Sequence, residues 1–238
     1  MKVLGIIPAR FGSSRFPGKP LIDIKGKTMI QRVYEGASKC PELHRVIVAT
    51  DDDRIFQHVH SFGGEAMMTL STHQSGTERC GEVAALFPEM DIVINIQGDE
   101  PLVDPRQLSL LIQEFKHEEV GIATLVSKHI ETAALNNPNR IKVVVNHKND
   151  ALLFSRSAIP SLQYSSSVVP LRHIGLYGFR NEILQKLVAL PVTELEQSES
   201  LEQLRWLYFG YQIRTILTEI ETPNIDVPED LEHVLRLL

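Results

Sequence analysis

Short apolar, β-branched runs punctuate the chain: VLGII, RVIVAT, DIVINI, GIATLV, IKVVV, ALLFS, HIGLYGF and IRTIL. Each is bounded by polar or turn-forming residues, so each reads as a strand. In the first half they alternate with segments of helical period, namely TMIQRVYEGASK, DRIFQHVHSF, GTERCGEVAALF and PRQLSLLIQEFK. Such alternation predicts an α/β fold with a mainly parallel sheet flanked by helices on both faces. Gly63-Gly64 suits the end of the second helix, and Asp51 or Asp52 suits its start. Between residues 136 and 180 the rhythm changes, because strand-like runs follow one another through the turn-rich stretches NNPNR and HKND. That segment is expected to form a smaller β-rich lobe within a single domain spanning 1–238. Helical patterns return at NEILQKLVAL, at ESLEQLRWLYFG and at VPEDLEHVLRLL, where Pro228 fits a first helical turn and Glu229 and Asp230 complement the helix dipole. No repeat, low-complexity tract or linker divides the chain.

Composition narrows the function. With 24 Lys and Arg against 30 Asp and Glu, the net charge of −6 offers no overall basic field for nucleic acid or an anionic membrane. A site for an anion must therefore be built locally. The two cysteines, Cys40 and Cys80, make neither a metal-ligand spacing nor a disulfide framework, which fits a reducing compartment. No apolar run is long enough for a membrane span, and the N-terminal run is too short for a signal peptide, so a cytoplasmic protein is expected.

One such local site stands out. GIIPARFGSSRFPGKP, Gly5 to Pro20, crowds Arg10, Arg15 and Lys19 into the connection that leaves the first strand. Open parallel sheets bind ligands beyond the carboxyl ends of their strands, where this loop begins. Gly12 and Gly18 allow close approach of the backbone, Pro17 and Pro20 stiffen the path, and three cations match a polyphosphate. A nucleoside triphosphate fits. Five residues separate Gly12 from Gly18, and Pro20 follows Lys19, which excludes a P-loop; the dinucleotide fingerprint is also absent.

Four further stretches bear on the chemistry. DIVINIQGDEP delivers Gln97, Asp99 and Glu100 to the same sheet edge. Asp104-Pro105 makes the better helix start, which leaves the Asp99 carboxylate for a magnesium ion, with Asp226 of NIDVPEDL as its distant partner. THQSGTER places Ser75, Gly76 and Arg79 at a helix start, where they read either as ordinary capping or as a seat for base or phosphate. In RHIGLYGFR, His173 and Tyr177 share one strand face, suited to a hydroxylated acceptor or to ordinary hydrogen-bonded burial. The charges of ESLEQLRWLYFG read first as a solvated helix face around Leu201, Leu204 and Leu207.

Taken together, IIPARFGSSRFPGKPL, VATDDDRI, SGTERCGEV, VNIQGDEP, NPNRIKVVV, FSRSAIP, RHIGLYGFR, LEQLRWL and IDVPEDLEHV, in this order and along nearly the whole chain, resemble the 3-deoxy-manno-octulosonate cytidylyltransferases. The resemblance implies a Rossmann-like fold of the nucleotide-diphospho-sugar transferase type and the reaction of CTP with the sugar acid Kdo to give CMP-Kdo and pyrophosphate for lipopolysaccharide synthesis. It implies Mg²⁺ on Asp99 and Asp226, and catalytic roles for Arg10, Lys19 and Asp99. It implies CTP contacts from Pro8, Ala9, Arg10, Ser13, Arg15, Lys19, Ser75, Gly76, Arg79 and Gln97. Sugar-acid contacts would come from Gln97, Arg156, His173, Tyr177, Glu202 and Gln203, which gives the LEQLR helix a function in place of a merely solvated face. A homodimer through the β-rich lobe is implied as well. The segment SLQYSSSVVPL is short and lacks the Trp-Asp-Arg-rich run found at that place in many relatives. The competing expectations are a nucleotidyltransferase for another sugar acid, such as a sialic acid or 8-amino-Kdo, and a nucleotide-binding module without chemistry, for which paired carboxylates would be superfluous.

Overall fold

The computed structural model describes residues 1–12, 16–130, 135–164 and 168–238. In chain order the strands are β1 (Val3–Ala9), β2 (Asp23–Ile24), β3 (Lys27–Thr28), β4 (Arg45–Thr50), β5 (Ala66–Met68), β6 (Ile92–Asn95), β7 (Ile122–Ser127), β8 (Lys142–Val145), β9 (Ala151–Ser155), β10 (Leu171–Arg180) and β11 (Arg214–Leu217). The helices are α1 (Met29–Ala37), α2 (Asp53–Ser61), α3 (Gly76–Ala85), α4 (Pro105–Glu114), α5 (Asn181–Val188), α6 (Glu194–Glu199), α7 (Gln203–Tyr208) and α8 (Pro228–Leu237).

The main path of the sheet runs β11-β7-β10-β6-β1-β4-β5. Six of these seven strands point one way; β10 opposes both of its neighbours, β6 and β7. Strands buried on both faces read as unbroken apolar runs, and alternate residues feed two separate cores. Val3 and Ile7 of β1 join α1, α2, α4 and α8 on one face. Leu4 and Ile6 join α3, α5 and α7 on the other, around the fully buried Trp206. The hairpin β8-β9 extends the sheet antiparallel from the first residues of β10.

Helix boundaries follow local capping. The Asp52 carboxylate accepts from the Arg54 amide at the start of α2, and Gly63 adopts a φ of +81° after its end. Asp104 caps α4 with Pro105 in its first turn, which leaves Asp99 outside any helix. The sequence predicts one helix over Glu199–Gly210; the structure divides it. A Thr193–Glu196 capping box opens α6, Ser200 turns left-handed at φ 50° and stops it, and α7 starts afresh at Gln203. Three elements carried no readable pattern: β5 has the sequence AMM, without β-branched residues, and β2 and β3 are two residues each. Among the described residues no helix is long and apolar enough to cross a membrane.

Candidate active site

The chain leaves β1 toward β4 on one side and returns to β6 on the other, so the crevice between the carboxyl ends of β1 and β6 is the switch point of the sheet. The loop after β6 presses directly on β1: a Cβ on Gly98 would stand 2.8 Å from the Pro8 carbonyl oxygen, so only glycine fits. On the β1 side, Gly18 turns at φ +73° into a single 3-10 turn, Lys19–Leu21. This turn aims the Lys19 amine back into the crevice.

There Lys19 Nζ donates to Asp99 Oδ2 at 2.8 Å and to the Ile225 carbonyl at 2.8 Å, and it lies 3.8 Å from Asp226 Oδ1. Backbone bonds hold the two remote acids together. The Ile225 amide donates to the Asp99 carbonyl at 2.9 Å, and the Asp230 carboxylate accepts from the amides of Asp226 and Val227. Two half-buried carboxylates therefore converge on one cation. Among the described residues no cluster of three or more His, Cys, Asp or Glu side chains forms a metal cage. Magnesium does not need one: its usual donors are one or two carboxylates, substrate phosphates and water, and an all-oxygen pair at the edge of an open cavity fits that set.

A first cavity, about 260 Å³, opens from this point along β1 and α3. Its walls include Pro8, Ala9, Arg10, Lys19, Ser75, Gly76, Arg79 and Gln97. Ser75 is the N-cap of α3; its hydroxyl accepts from the Glu78 amide and donates to Glu202 Oε1 at 2.8 Å. Arg79 is 3% exposed, donates to Thr69, and pairs with Asp51 at 3.2 Å, so its fork is held from below. Beside it, His73 meets Glu82 at the rim. Ser13 and Arg15 lie outside the described residues.

A second cavity, about 310 Å³, shares Gln97, Asp99 and Asp226 with the first and runs along β10. The register of β10 against β7 slips between Ile174 and Tyr177, and the Gly175 carbonyl in that slip accepts from Gln97 Nε2 at 2.7 Å. His173 and Tyr177 both line this cavity, as does Gln203. The His173 Nε2 faces Thr124 Oγ1 at 3.0 Å, and burial, assisted by Arg172, drives the imidazole down to about 3, so it is neutral at physiological pH. Among the described residues the buried Tyr177 hydroxyl has no hydrogen-bond partner of good geometry, and burial, then the Glu202 carboxylate, raises it well above the ordinary tyrosine value against an opposing pull from Thr124. A buried hydroxyl left unpaired is costly, and a substrate hydroxyl would satisfy it.

Two residues that the resemblance placed on the sugar acid stand elsewhere. Glu202 lines neither cavity: its carboxylate accepts from Ser75 and Thr77 and ties α7 to the first turn of α3, with burial pushing the carboxyl upward. The Arg156 guanidinium is taken up by the carbonyls of Pro138, Glu199 and Ser200 and also reaches neither cavity. Conversely, the second cavity is lined by Glu100, Arg140, Arg172, Thr222 and Asn224, none of which the sequence singled out as a contact. Glu100 is 7% exposed; burial, then the adjacent Asp99, pushes it up to about 8. Its place in QGDEP was a visible signal, and Arg140 lies in the stretch NPNRIKVVV without having been given a role there, whereas Thr222 sits in a stretch with no motif chemistry of its own.

Comparison with known proteins places these features in context. Residues 4–216 match the family model described as Cytidylyltransferase. A 3-deoxy-manno-octulosonate cytidylyltransferase of Porphyromonas gingivalis is 48% identical, the match covering all of this chain and 96% of the relative. One from Escherichia coli is 45% identical with the same coverage. Among solved structures, CMP:2-keto-3-deoxy-manno-octonic acid synthetase complexed with CTP superposes with a TM-score of 0.95 at 46% identity, covering 100% of this chain and 98% of that one.

Proposed function

The chain belongs to the cytidylyltransferase family, among the 3-deoxy-manno-octulosonate cytidylyltransferases, and from that premise we propose that it joins CTP to Kdo, giving CMP-Kdo and pyrophosphate. The observation that carries this reading is the meeting of two cavities at Gln97, Asp99 and Asp226, with one lysine amine bonded to Asp99 and 3.8 Å from Asp226. A reaction between two substrates needs two adjoining compartments and a charged seam where they touch.

The first cavity takes CTP. Ser75 and Gly76 at the start of α3, together with Arg79, face the cytidine, while Arg10 and Lys19 attract the triphosphate. The second cavity takes the sugar acid against His173, Tyr177 and Gln203. The anomeric hydroxyl, positioned beside Gln97, attacks the α-phosphorus in line; an oxygen–phosphorus bond forms, the bond to the pyrophosphate oxygen breaks, and the hydroxyl proton passes to solvent. No protein nucleophile is required. Orientation of two bound substrates supplies roughly 7–11 kcal/mol of the acceleration in well-aligned systems. Asp99 and Asp226 would hold magnesium together with substrate phosphates, which supplies charge neutralisation at the reacting phosphate and acidifies the attacking hydroxyl. Lys19 holds the same two carboxylates in place before substrates arrive and carries the charge that steadies the departing pyrophosphate.

Pyrophosphate release with CTP, Kdo and magnesium tests the reading: a product that requires all three supports it, and release without the sugar acid or with any triphosphate alike overturns it. We also assign the exposed Leu152 and Leu153 of β9 to a two-fold contact. Sedimentation at micromolar concentration is expected to give a dimer.

A further inference from the structure

The second cavity is polarised along β10. Its reacting end is acidic, with Asp99 and Asp226 beside Gln97, whose amide is bonded to the Gly175 carbonyl. Three residues back along the strand, roughly 10 Å at the rise of an extended chain, lies Arg172. There the NPNR turn, closed by the Arg140 amide on the Asn137 carbonyl at 3.1 Å, delivers Arg140 to the cavity wall.

The charges at this far end can be assigned one by one. Arg172 is bonded to Glu221, which also accepts from Ser127, so that pair is internally neutral. His173 is neutral, as burial dictates. Glu100 sits between the two ends with its carboxyl bonded to Thr222 at 3.0 Å. Among the described residues Arg140 makes no side-chain hydrogen bond or ion pair, and it is an exposed residue of the cavity lining. The net charge offered to the remote end of an acceptor is thus set by one unpaired guanidinium. Its rigid fork of donors matches hydroxyls or a carboxylate and repels an ammonium.

We propose that Arg140 is a specificity-determining residue that selects acceptors whose end remote from the reacting carbon is neutral or anionic and discriminates against those carrying an ammonium there. The inference rests on the reading of the second cavity as the sugar-acid site. It names the acceptor class within that reading: the sugar acid with a terminal hydroxyl, and not its terminally aminated counterpart.

The test compares kcat/KM for Kdo and for the same sugar acid with its terminal hydroxyl replaced by an amine, using the intact protein, Arg140→Gln and Arg140→Glu. The unaltered protein is expected to favour the hydroxyl-ended acid. Arg140→Gln should shrink the ratio by about three- to tenfold, the scale of one partly screened charge pair, and Arg140→Glu should shrink it further or invert it. The KM for CTP should stay within twofold throughout, and the ratio should fall toward unity as salt is raised, which a purely structural role would not produce. A ratio unchanged in Arg140→Glu while Kdo is still used overturns the inference and leaves the catalytic reading standing. Preference of the unaltered protein for the aminated acid also overturns it. Absence of pyrophosphate release with both acids overturns the catalytic reading itself, and this inference with it.

Discussion

Glu100→Gln probes how much charge the floor of the second cavity tolerates. The carboxyl is 7% exposed, accepts from Thr222 Oγ1 at 3.0 Å, and stands beside the Asp99 carboxylate. Burial and that neighbour carry it from an ordinary value of 4.5 to about 8. An acid whose folded value is raised holds its proton longer folded than unfolded. Its stabilising share is therefore complete below pH 4.5 and drains away as pH rises toward 8, after which it changes no more. Each pH unit in that window costs about 1.4 kcal/mol, so the carboxyl lowers stability by about 3 kcal/mol at pH 7 and about 5 kcal/mol above pH 8. Glutamine keeps an oxygen to accept from Thr222 and never ionises. Glu100→Gln should accordingly match the parent near pH 4.5 and exceed it by about 3 kcal/mol at pH 7. Urea unfolding of both proteins across pH 4.5–8.5, in magnesium-free buffer, reads the difference directly, because every other titrating group is common to the two. Curves that run parallel across the whole range would show that Glu100 ionises normally and that the cavity floor is wetter than its burial indicates.

Three substitutions divide the remaining roles. Asp99→Asn should lower turnover by orders of magnitude while calorimetry still shows CTP binding; near-normal turnover would remove Asp99 from the reacting centre. Tyr177→Phe should raise the KM for the sugar acid about three- to tenfold and leave that for CTP alone, the size of one lost hydrogen bond; the opposite pattern would mean the two cavities are assigned to the wrong substrates. Glu202→Gln should weaken CTP, not the acceptor, because its carboxylate holds Ser75 and Thr77 at the start of α3. An effect on the sugar acid alone would restore Glu202 to direct contact.

Much of the architecture was legible along the chain, because burial on both faces forces apolar strands and one-sided burial forces helical periodicity. RVIVAT could hardly be anything but an inner strand, and Asp104-Pro105 marked a helix start without reference to anything distant. The cation-rich turn after β1 and the carboxylates after β6 were equally visible, since both are local chemistry at strand ends. Less legible was the direction of β10. The run HIGLYGF specifies a buried strand, yet nothing in it says that it will enter between β6 and β7 against them.

What tertiary structure alone decided is which side chains meet. Asp99 and Asp226 converge because the Ile225 amide bonds to the Asp99 carbonyl and the Lys19 amine, bonded to Asp99, stands 3.8 Å from Asp226, contacts that span most of the chain. The resemblance placed Arg156 and Glu202 on the sugar acid; the Arg156 guanidinium is bonded to three carbonyls, and Glu202 braces a helix. Arg140 was given no role by the sequence, yet it lines a cavity, and among the described residues its side chain makes no ion pair. Pattern reports what each residue prefers around it, and burial on folding enforces that preference locally. A charged or hydrogen-bonding group is satisfied by whichever partner the fold brings near, and that partner is set by packing between elements remote in sequence.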